Sequence, residues 1–339
     1  MKTTALITNS LSGGGAETSA QILKEEFSNL GMSIIWIGVN SENPLAIPTD
    51  QNTYCLGRSK NSFVFETFLA YLNLIKLIRS KSASTLILNC ELPELLAAFI
   101  PFRLRLFVVE HANPTWYKRE VLGSIVRSVL KLRKARFVVV GEHLKPRFAE
   151  SLPSVTIRNP IMDNSVTSFK SCGKEIKRLV FVGRLSSDFK NPNLILDIAS
   201  KLRMNALFIG DGPLKQSLEN ESCLKGVNAK FLGFQRQPWS HFSEGDLLMI
   251  PSSAEGDGLV LIEAVQRGIP FLASQIPDLN RYGISEQNYC KSVDEYVSRI
   301  EQYRQSLSSL VVPRDLAIQI LSQRNSKQIA QFWVKLLSS

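Results

Sequence analysis

This chain of 339 residues has little that could cross-link it. Its five cysteines, Cys55, Cys90, Cys172, Cys223 and Cys290, are scattered, odd in number and without metal-ligand spacing. That argues against a disulfide framework or a zinc site and for a reducing compartment. No run of about eighteen apolar residues occurs, so no segment is expected to span a membrane. The opening MKTTALITNS lacks the long apolar core and cleavage site of a secretory leader, and a cytoplasmic location is expected. There is no low-complexity tract, no zinc-finger spacing, no RNA-binding aromatic signature and no lysine-rich tail, which weakens nucleic acid as a partner.

What is present describes a folded α/β protein. The chain is 44% hydrophobic and 21% charged, ordinary for a folded protein. Its length exceeds what one core usually organises, so two domains are expected. Forty basic residues stand against thirty acidic ones, a formal charge of +10. Such a balance calls for an anionic partner: nucleic acid, a phosphorylated ligand or an anionic lipid surface.

In the first half, TALIT, SIIWIGV, TLILN, RLFVVE and RFVVVG are short apolar runs rich in β-branched residues, with a helix expected over 16–30. Such runs are typical of strands buried on both faces of a parallel sheet. VTIRNPI closes this half, with Asn159-Pro160 as a boundary. The pattern restarts with RLVFVG, NALFIG, AKFLGF, DLLMIPS and PFLAS as strands. NPNLILDIASKL, GPLKQSLENES and a segment after Gly258 alternate with them as helices. The alternation predicts two doubly wound parallel sheets, over 1–160 and 161–324. A cleft between them is expected to face the carboxyl ends of the strands. SKQIAQFWVKLL is an amphipathic helix, and 325–339 is expected to pack back on the first domain.

Four stretches carry candidate chemistry. NSLSGGGAE (9–17) follows the first strand. Gly13, Gly14 and Gly15 let the backbone approach a ligand, and the next helix offers free N–H groups to an anion. A plain strand-to-helix turn reads the same way. VGRLSSDFKNP places Arg184 and Lys190 six apart beyond a strand, with Lys190 at the start of the next helix. Two cations there suit a diphosphate, arginine by bidentate contact; a solvated loop carries such charges too. SSAEGDGLVLIEAVQRG (252–268) holds Glu255 in a loop freed by Gly256 and Gly258, then a helix from Leu259 with Glu263 one turn in. The helix N-terminus favours a phosphate. Leu259, Val260, Leu261, Ile262, Ala264 and Val265 around Glu263 are apolar, so this helix is expected to be buried. A buried glutamate needs a partner, and an acceptor-only carboxylate suits a vicinal diol. In VVEHANP, Glu110-His111 lies at an expected strand end; a satisfied loop or core histidine is the alternative.

Taken in order, GGGAE, GRLSSDFKNP, GDGPLKQSLE, FLGF and MIPSSAEGDGLVLIEAVQRGIP resemble the family-4 retaining glycosyltransferases of bacterial surface-polysaccharide type, with the GT-B fold. The resemblance implies that Glu255 contacts the transferred sugar and Glu263 the nucleotide ribose. It implies that Arg184 and Lys190 hold the donor diphosphate, with Gly256, Gly258 and Leu259 beside it. It places Gly14, Gly15 and His111 near the diphosphate and sugar from the other domain, and Phe234 of FLGF at the base. Many members have an aromatic residue where this chain has Asp257; the added acid would alter sugar preference or point to solvent.

The resemblance therefore implies a hexosyl- or N-acetylhexosaminyltransferase that uses a nucleoside diphosphate sugar, UDP by base rate. The acceptor would be a glycan or a polyprenyl-diphosphate-linked saccharide. No Asp-x-Asp occurs, so no metal or other cofactor is expected. WYKREVLGSIVRSVLKLRKARF carries Lys118, Arg119, Arg127, Lys131, Arg133, Lys134 and Arg136 beside apolar residues at helical spacing. It is read either as a peripheral contact with an anionic inner membrane face over 118–136 or as an ordinary helix packed on the sheet. The preceding LLAAFIPFRLRLF would add apolar anchoring. A non-catalytic nucleotide-sugar-binding protein, an epimerase or phosphorylase of the same fold and a nucleic-acid binder are the rival readings.

Overall fold

Seven parallel strands form the first sheet: β1 (Thr3–Thr8), β2 (Ile34–Asn40), β3 (Thr53–Arg58), β4 (Ala83–Asn89), β5 (Arg105–Glu110), β6 (Arg136–Val139) and β7 (Ser154–Thr156). Their order is β3-β2-β1-β4-β5-β6-β7. The structure, a computed structural model, describes residues 3–11, 13–41, 51–59, 63–111, 116, 119–144, 154–162, 175–186 and 189–339. The chain divides into two units, Met1–Asp163 with Arg324–Ser339, and Asn164–Gln323.

In the first unit, α1 is Gly15–Asn29, α2 Phe63–Ser80, α3 Glu91–Ala98 and α4 Glu120–Leu132. Because β1 feeds leftward to β2 while β4, β5 and β6 follow rightward, right-handed crossovers put α1 on one face and α2 to α4 on the other. Ala70, Leu74 and Ile78 of α2, Leu96 and Ala97 of α3, and Val126 and Leu130 of α4 bury against one side of the sheet. Ala20, Leu23 and Phe27 of α1 bury against the other. Each large apolar side chain so buried contributes about 1.5–3 kcal/mol. β3, α2 and α3 did not stand out in the sequence. The stretch 95–107, which would add apolar anchoring on the membrane reading, is mostly core: Leu96, Ala97, Ala98, Ile100, Leu106 and Phe107 are buried, and of its large apolar residues only Phe99 is among the exposed ones.

The second unit holds a six-stranded parallel sheet: β8 (Arg178–Val182), β9 (Asn205–Ile209), β10 (Ala229–Phe231), β11 (Asp246–Ile250), β12 (Phe271–Ser274) and β13 (Tyr289–Cys290). Their order is β10-β9-β8-β11-β12-β13. Around it lie α5 (Asn193–Leu202), α6 (Lys215–Leu224), α7 (Leu259–Arg267), α8 (Pro277–Asn280), α9 (Val293–Gln302) and α10 (Arg314–Ser322). Two parallel α/β sheets are the fold class expected from the sequence pattern.

The last helix, α11 (Ser326–Ser338), belongs to the first unit. Ile329, Ala330, Trp333 and Leu337 join the α1 face of the first core, with Trp333 edge-on to Phe107 at 6.2 Å. Fully buried Arg324 donates to the Asn159 carbonyl at 3.2 Å. The Ile161 amide donates to the Arg324 carbonyl at 3.2 Å. The segments leaving and re-entering the first unit therefore run side by side.

Candidate functional site

In the second sheet, β8 starts the unit, β9 and β10 extend one way, and β11 to β13 extend the other. The switch lies between β8 and β11, and open α/β sheets bind ligands outside the carboxyl ends of the strands at such a point. The loops that leave those two strands carry Arg184, Lys190 and Glu255. Gly210, after β9, has φ of 144°, and a Cβ there would overlap the Gly183 carbonyl oxygen. Only glycine permits this close approach. The result is a ledge of touching loops, with Leu185 donating to the Asp211 carbonyl and Leu214 to that of Leu185, both at 3.0 Å. Arg184 stands out from this ledge, exposed, with no ion pair or hydrogen bond from its guanidinium among the described residues.

Lys190 lies three residues before α5 rather than at its start. Its ammonium meets Glu255 Oε1 at 2.6 Å. Phe189 and Asn191 on either side have φ of 66° and 46°, a left-handed conformation costing about 1–2 kcal/mol for an L-residue. Two cross-loop bonds hold it: Ser253 N to the Phe189 carbonyl at 2.8 Å and Asn191 Nδ2 to the Pro251 carbonyl at 3.1 Å. Glu255 also accepts from Ser252 Oγ at 2.7 Å, and its amide donates to Asp278 Oδ2 at 2.9 Å. Cation and carboxylate are thus held together above the switch point.

α7 starts at Leu259 with Gly258 before it at φ of 62°, where a Cβ would press on Leu279 Cδ2 at 2.7 Å. Asp257 does not point to solvent. It is buried and takes the Arg281 guanidinium at 2.8 Å on Oδ1. Arg281 reaches the Gly256 carbonyl at 3.4 Å, and Tyr282 OH donates to the Asp257 carbonyl at 2.6 Å. The loop entering α7 is therefore pinned from α8 onward, which fixes where the free N–H groups of α7 point.

Glu263 is half-buried, and Trp239 Nε1 donates to its Oε2 at 2.7 Å. Arg267, one turn on, stacks over the Trp239 ring at 5.2 Å. Burial pushes the Glu263 carboxyl above the ordinary glutamate range, against the opposing pull of Arg267 and the Trp239 bond. Phe234 is exposed just past Gly233, and Gly233 bridges to Gly210. Trp239 and Arg281 did not emerge from the sequence. Each is 24 residues from its carboxylate partner, and no local pattern signals such a pair.

In the first unit, Gly13, Gly14 and Gly15 follow β1 and His111 follows β5, all at the carboxyl edge of the sheet. Gly14 is the N-cap of α1, and a Cβ there would overlap Glu17 Oε2. The same edge carries three buried acids, Glu17, Glu94 and Glu110, of which only Glu110 had been singled out in the sequence. Burial and the charges of Glu17, Glu94, Glu110 and Glu91 push the Cys90 thiol well up, so it stays protonated at neutral pH. Trp116 Nε1 donates to Glu94 Oε2 at 3.1 Å. Arg127 pairs with Glu110 and lies 3.5 Å from Glu94. Arg127 is therefore inward, a correction to its reading as a lipid-facing cation. Arg133 likewise donates to the carbonyls of Ala97 and Phe102 at 2.7 and 2.8 Å, and Arg136 to Ser339 Oγ at 2.7 Å. Lys131 and Lys134 remain exposed; Lys118 lies outside the described residues.

Residues 169–303 match the family described as glycosyl transferases group 1, which bears out the resemblance carried by the motifs. The chain is 32% identical over 168 residues to the sulfoquinovosyl transferase SQD2 of Arabidopsis thaliana, covering 48% of this chain and 30% of that protein. It is 27% identical over 177 residues to a Campylobacter jejuni alpha-1,4-N-acetyl-D-galactosaminyltransferase named for an undecaprenol diphosphate-linked acceptor, covering 50% and 49%. The chain thus spans less than half the length of these curated relatives. Anabaena HepE, solved in complex with UDP-glucose, superposes with a TM-score of 0.77 over 100% of both chains at 15% identity, which shows a shared GT-B fold.

Proposed function

We propose that this glycosyltransferase-group chain moves a hexosyl or N-acetylhexosaminyl group from a UDP-sugar to a glycan or a polyprenyl-diphosphate-linked saccharide. The observation that carries the proposal is the switch point of the second sheet. There Arg184, whose guanidinium holds nothing among the described residues, an anchored lysine–glutamate pair and a pinned helix N-terminus converge above parallel strands. Arg184 and Lys190 would take the diphosphate with the N–H groups at Leu259, giving preformed charge where the leaving group develops its own. When a phosphate draws Lys190 away, Glu255 is released to accept sugar hydroxyls, while Ser252 keeps it in place. Glu263, with Oε2 held by Trp239, offers its other oxygen to the ribose diol, and Phe234 faces the base. The binding needs no metal in this scheme, since two cations and a helix terminus supply the positive charge.

Gly14, Gly15 and His111 are proposed to serve the transferred sugar and acceptor from the first unit. Transfer is proposed with retention, by attack on the leaving-group face with the leaving phosphate accepting the acceptor's proton. That route needs no carboxylate nucleophile on the far face of the sugar. Supporting the donor class, HepE carries UDP-glucose on the same fold. The acceptor class rests on the name of the Campylobacter relative.

The test is proton NMR of the purified chain with a panel of uridine and guanosine diphosphate sugars. Binding of one donor, with slow release of the same anomer, supports a retaining transferase. Binding without turnover when acceptors are supplied favours a non-catalytic binder. Conversion of the sugar while it stays nucleotide-linked favours an epimerase. No binding at all overturns the assignment.

A further inference from the structure

Helix α2 leaves its apolar side open. Val64 is 78% exposed, Phe65 59%, Phe68 55%, Leu69 38% and Leu72 45%. On the opposite side of the same helix, Ala70, Leu74 and Ile78 are buried in the core. Phe65, Leu69 and Leu72 lead at helical spacing into Lys76 and Arg79, both exposed, so one stripe is apolar for its first turns and basic for its last. The helix holds one acid, Glu66, which is turned aside to accept from the Ser59 amide at 3.2 Å. Tyr71 stacks beside Phe68 at 6.5 Å and donates to the backbone carbonyl of Phe99 at 2.9 Å, and Phe99 is itself exposed. Arg103 is exposed just beyond it, and Lys81, also exposed, opens the turn after α2. Large rings exposed together are rare on a protein that meets only water.

We infer that the outer stripe of α2 is a lipid-inserting surface for an anionic bilayer. Val64, Phe65, Phe68, Leu69 and Leu72 enter the acyl boundary, and Lys76, Arg79 and Lys81 meet the headgroups. Two observations select a bilayer over a protein partner. The apolar patch is continuous with basic residues and, among the described residues of α2, free of outward acids, which matches apolar insertion beside negative headgroups. The chain as a whole carries +10, which adds attraction to any anionic surface. The placement has a consequence as well. α2 follows β3, so its apolar first turns lie at the carboxyl edge of the first sheet, with Gly14, Cys90 and His111. A lipid-anchored acceptor would be presented at that edge. This last point rests on the acceptor proposed above; the lipid contact does not.

The experiment is flotation of the full chain with vesicles of phosphatidylcholine, with and without phosphatidylglycerol, and with no donor added. Wild type is expected to float with the anionic vesicles. The triple variant Phe65→Ser, Phe68→Ser, Leu72→Ser should partition at least about a hundred-fold less on them, since that much apolar area is lost. Lys76→Glu with Arg79→Glu should lose about ten-fold or more on anionic vesicles and nothing on neutral ones. Wild type left unbound by both vesicle types, or a triple variant that floats like wild type, overturns the proposal. So does a lipid-free dimer that the triple variant dissociates while flotation is unchanged; the stripe would then be a contact between copies. Flotation without donor binding keeps this inference and sinks the transferase reading.

Discussion

Arg184→Ala and Lys190→Ala should separate cleanly, because the two cations start from different states. Arg184 is exposed and its guanidinium holds nothing among the described residues. Its removal should therefore leave thermal stability within the scatter of surface substitutions, roughly ±0.5 kcal/mol. Its proposed work is all on the ligand. A charge-assisted hydrogen bond contributes about 1.5–3 kcal/mol, so affinity for a nucleoside diphosphate should fall roughly ten- to hundred-fold. Affinity for the bare nucleoside should not change. Lys190 first has to leave Glu255, from which it is 2.6 Å away. Because that part-exposed pair is itself worth about 1 kcal/mol, the net contact to phosphate is smaller, and Lys190→Ala should cost less affinity than Arg184→Ala. Isothermal titration with uridine, UMP and UDP on both variants, beside a thermal melt, makes the comparison. An Arg184→Ala protein that binds UDP as tightly as wild type refutes the site. So does one that loses uridine and UDP equally.

Glu263→Gln should bind nucleotide about ten-fold or more weakly, yet melt higher at neutral pH. The sign follows from the raised carboxyl: the folded state holds more protons between the ordinary and the raised value, so stability falls as pH rises through that window. The glutamine removes that burden, and the gain should vanish in acid; a lower melting temperature at pH 7 would contradict it. In wild type the same shift makes nucleotide affinity drop on acidification before an exposed glutamate would titrate. Arg281→Ala leaves buried Asp257 without its cation, costs about 3 kcal/mol, and should lower both the melting temperature and donor affinity. Arg281→Lys, which keeps the charge, should recover part of each. Gly210→Ala would drive a Cβ into the Gly183 carbonyl; a melting temperature equal to wild type would show that the ledge carrying Arg184 is softer than drawn.

Local pattern made most of the strands legible. β1, β2, β4, β5, β8, β9 and β11 are apolar runs whose alternate residues are buried on both faces of the sheet. β3 was not legible, because TYCLGR at the edge of the sheet has only three apolar residues, Tyr54 to Leu56, before Gly57 and Arg58. α2 escaped for a different reason: its first turns are apolar on both the buried and the bare face, so periodicity cannot tell one from the other. The helix carrying Arg127 was legible as basic and amphipathic, but its charges divided three ways once folded. Arg127 went to Glu110, Arg133 capped α3, and Lys131 and Lys134 stayed in water.

By itself the sequence determined the two-sheet α/β class, the glycines of the tight turns and the start of α7 at Gly258. Those depend on hydrophobic period, backbone freedom and turn chemistry, which act over a few residues. Only the tertiary structure decided that Lys190 meets Glu255 across 65 residues, that Trp239 steers Glu263 and that Arg281 buries Asp257. Such pairs are made between loops that leave different strands. Their distance is set by strand order and crossover, and spacing along the chain carries no trace of it.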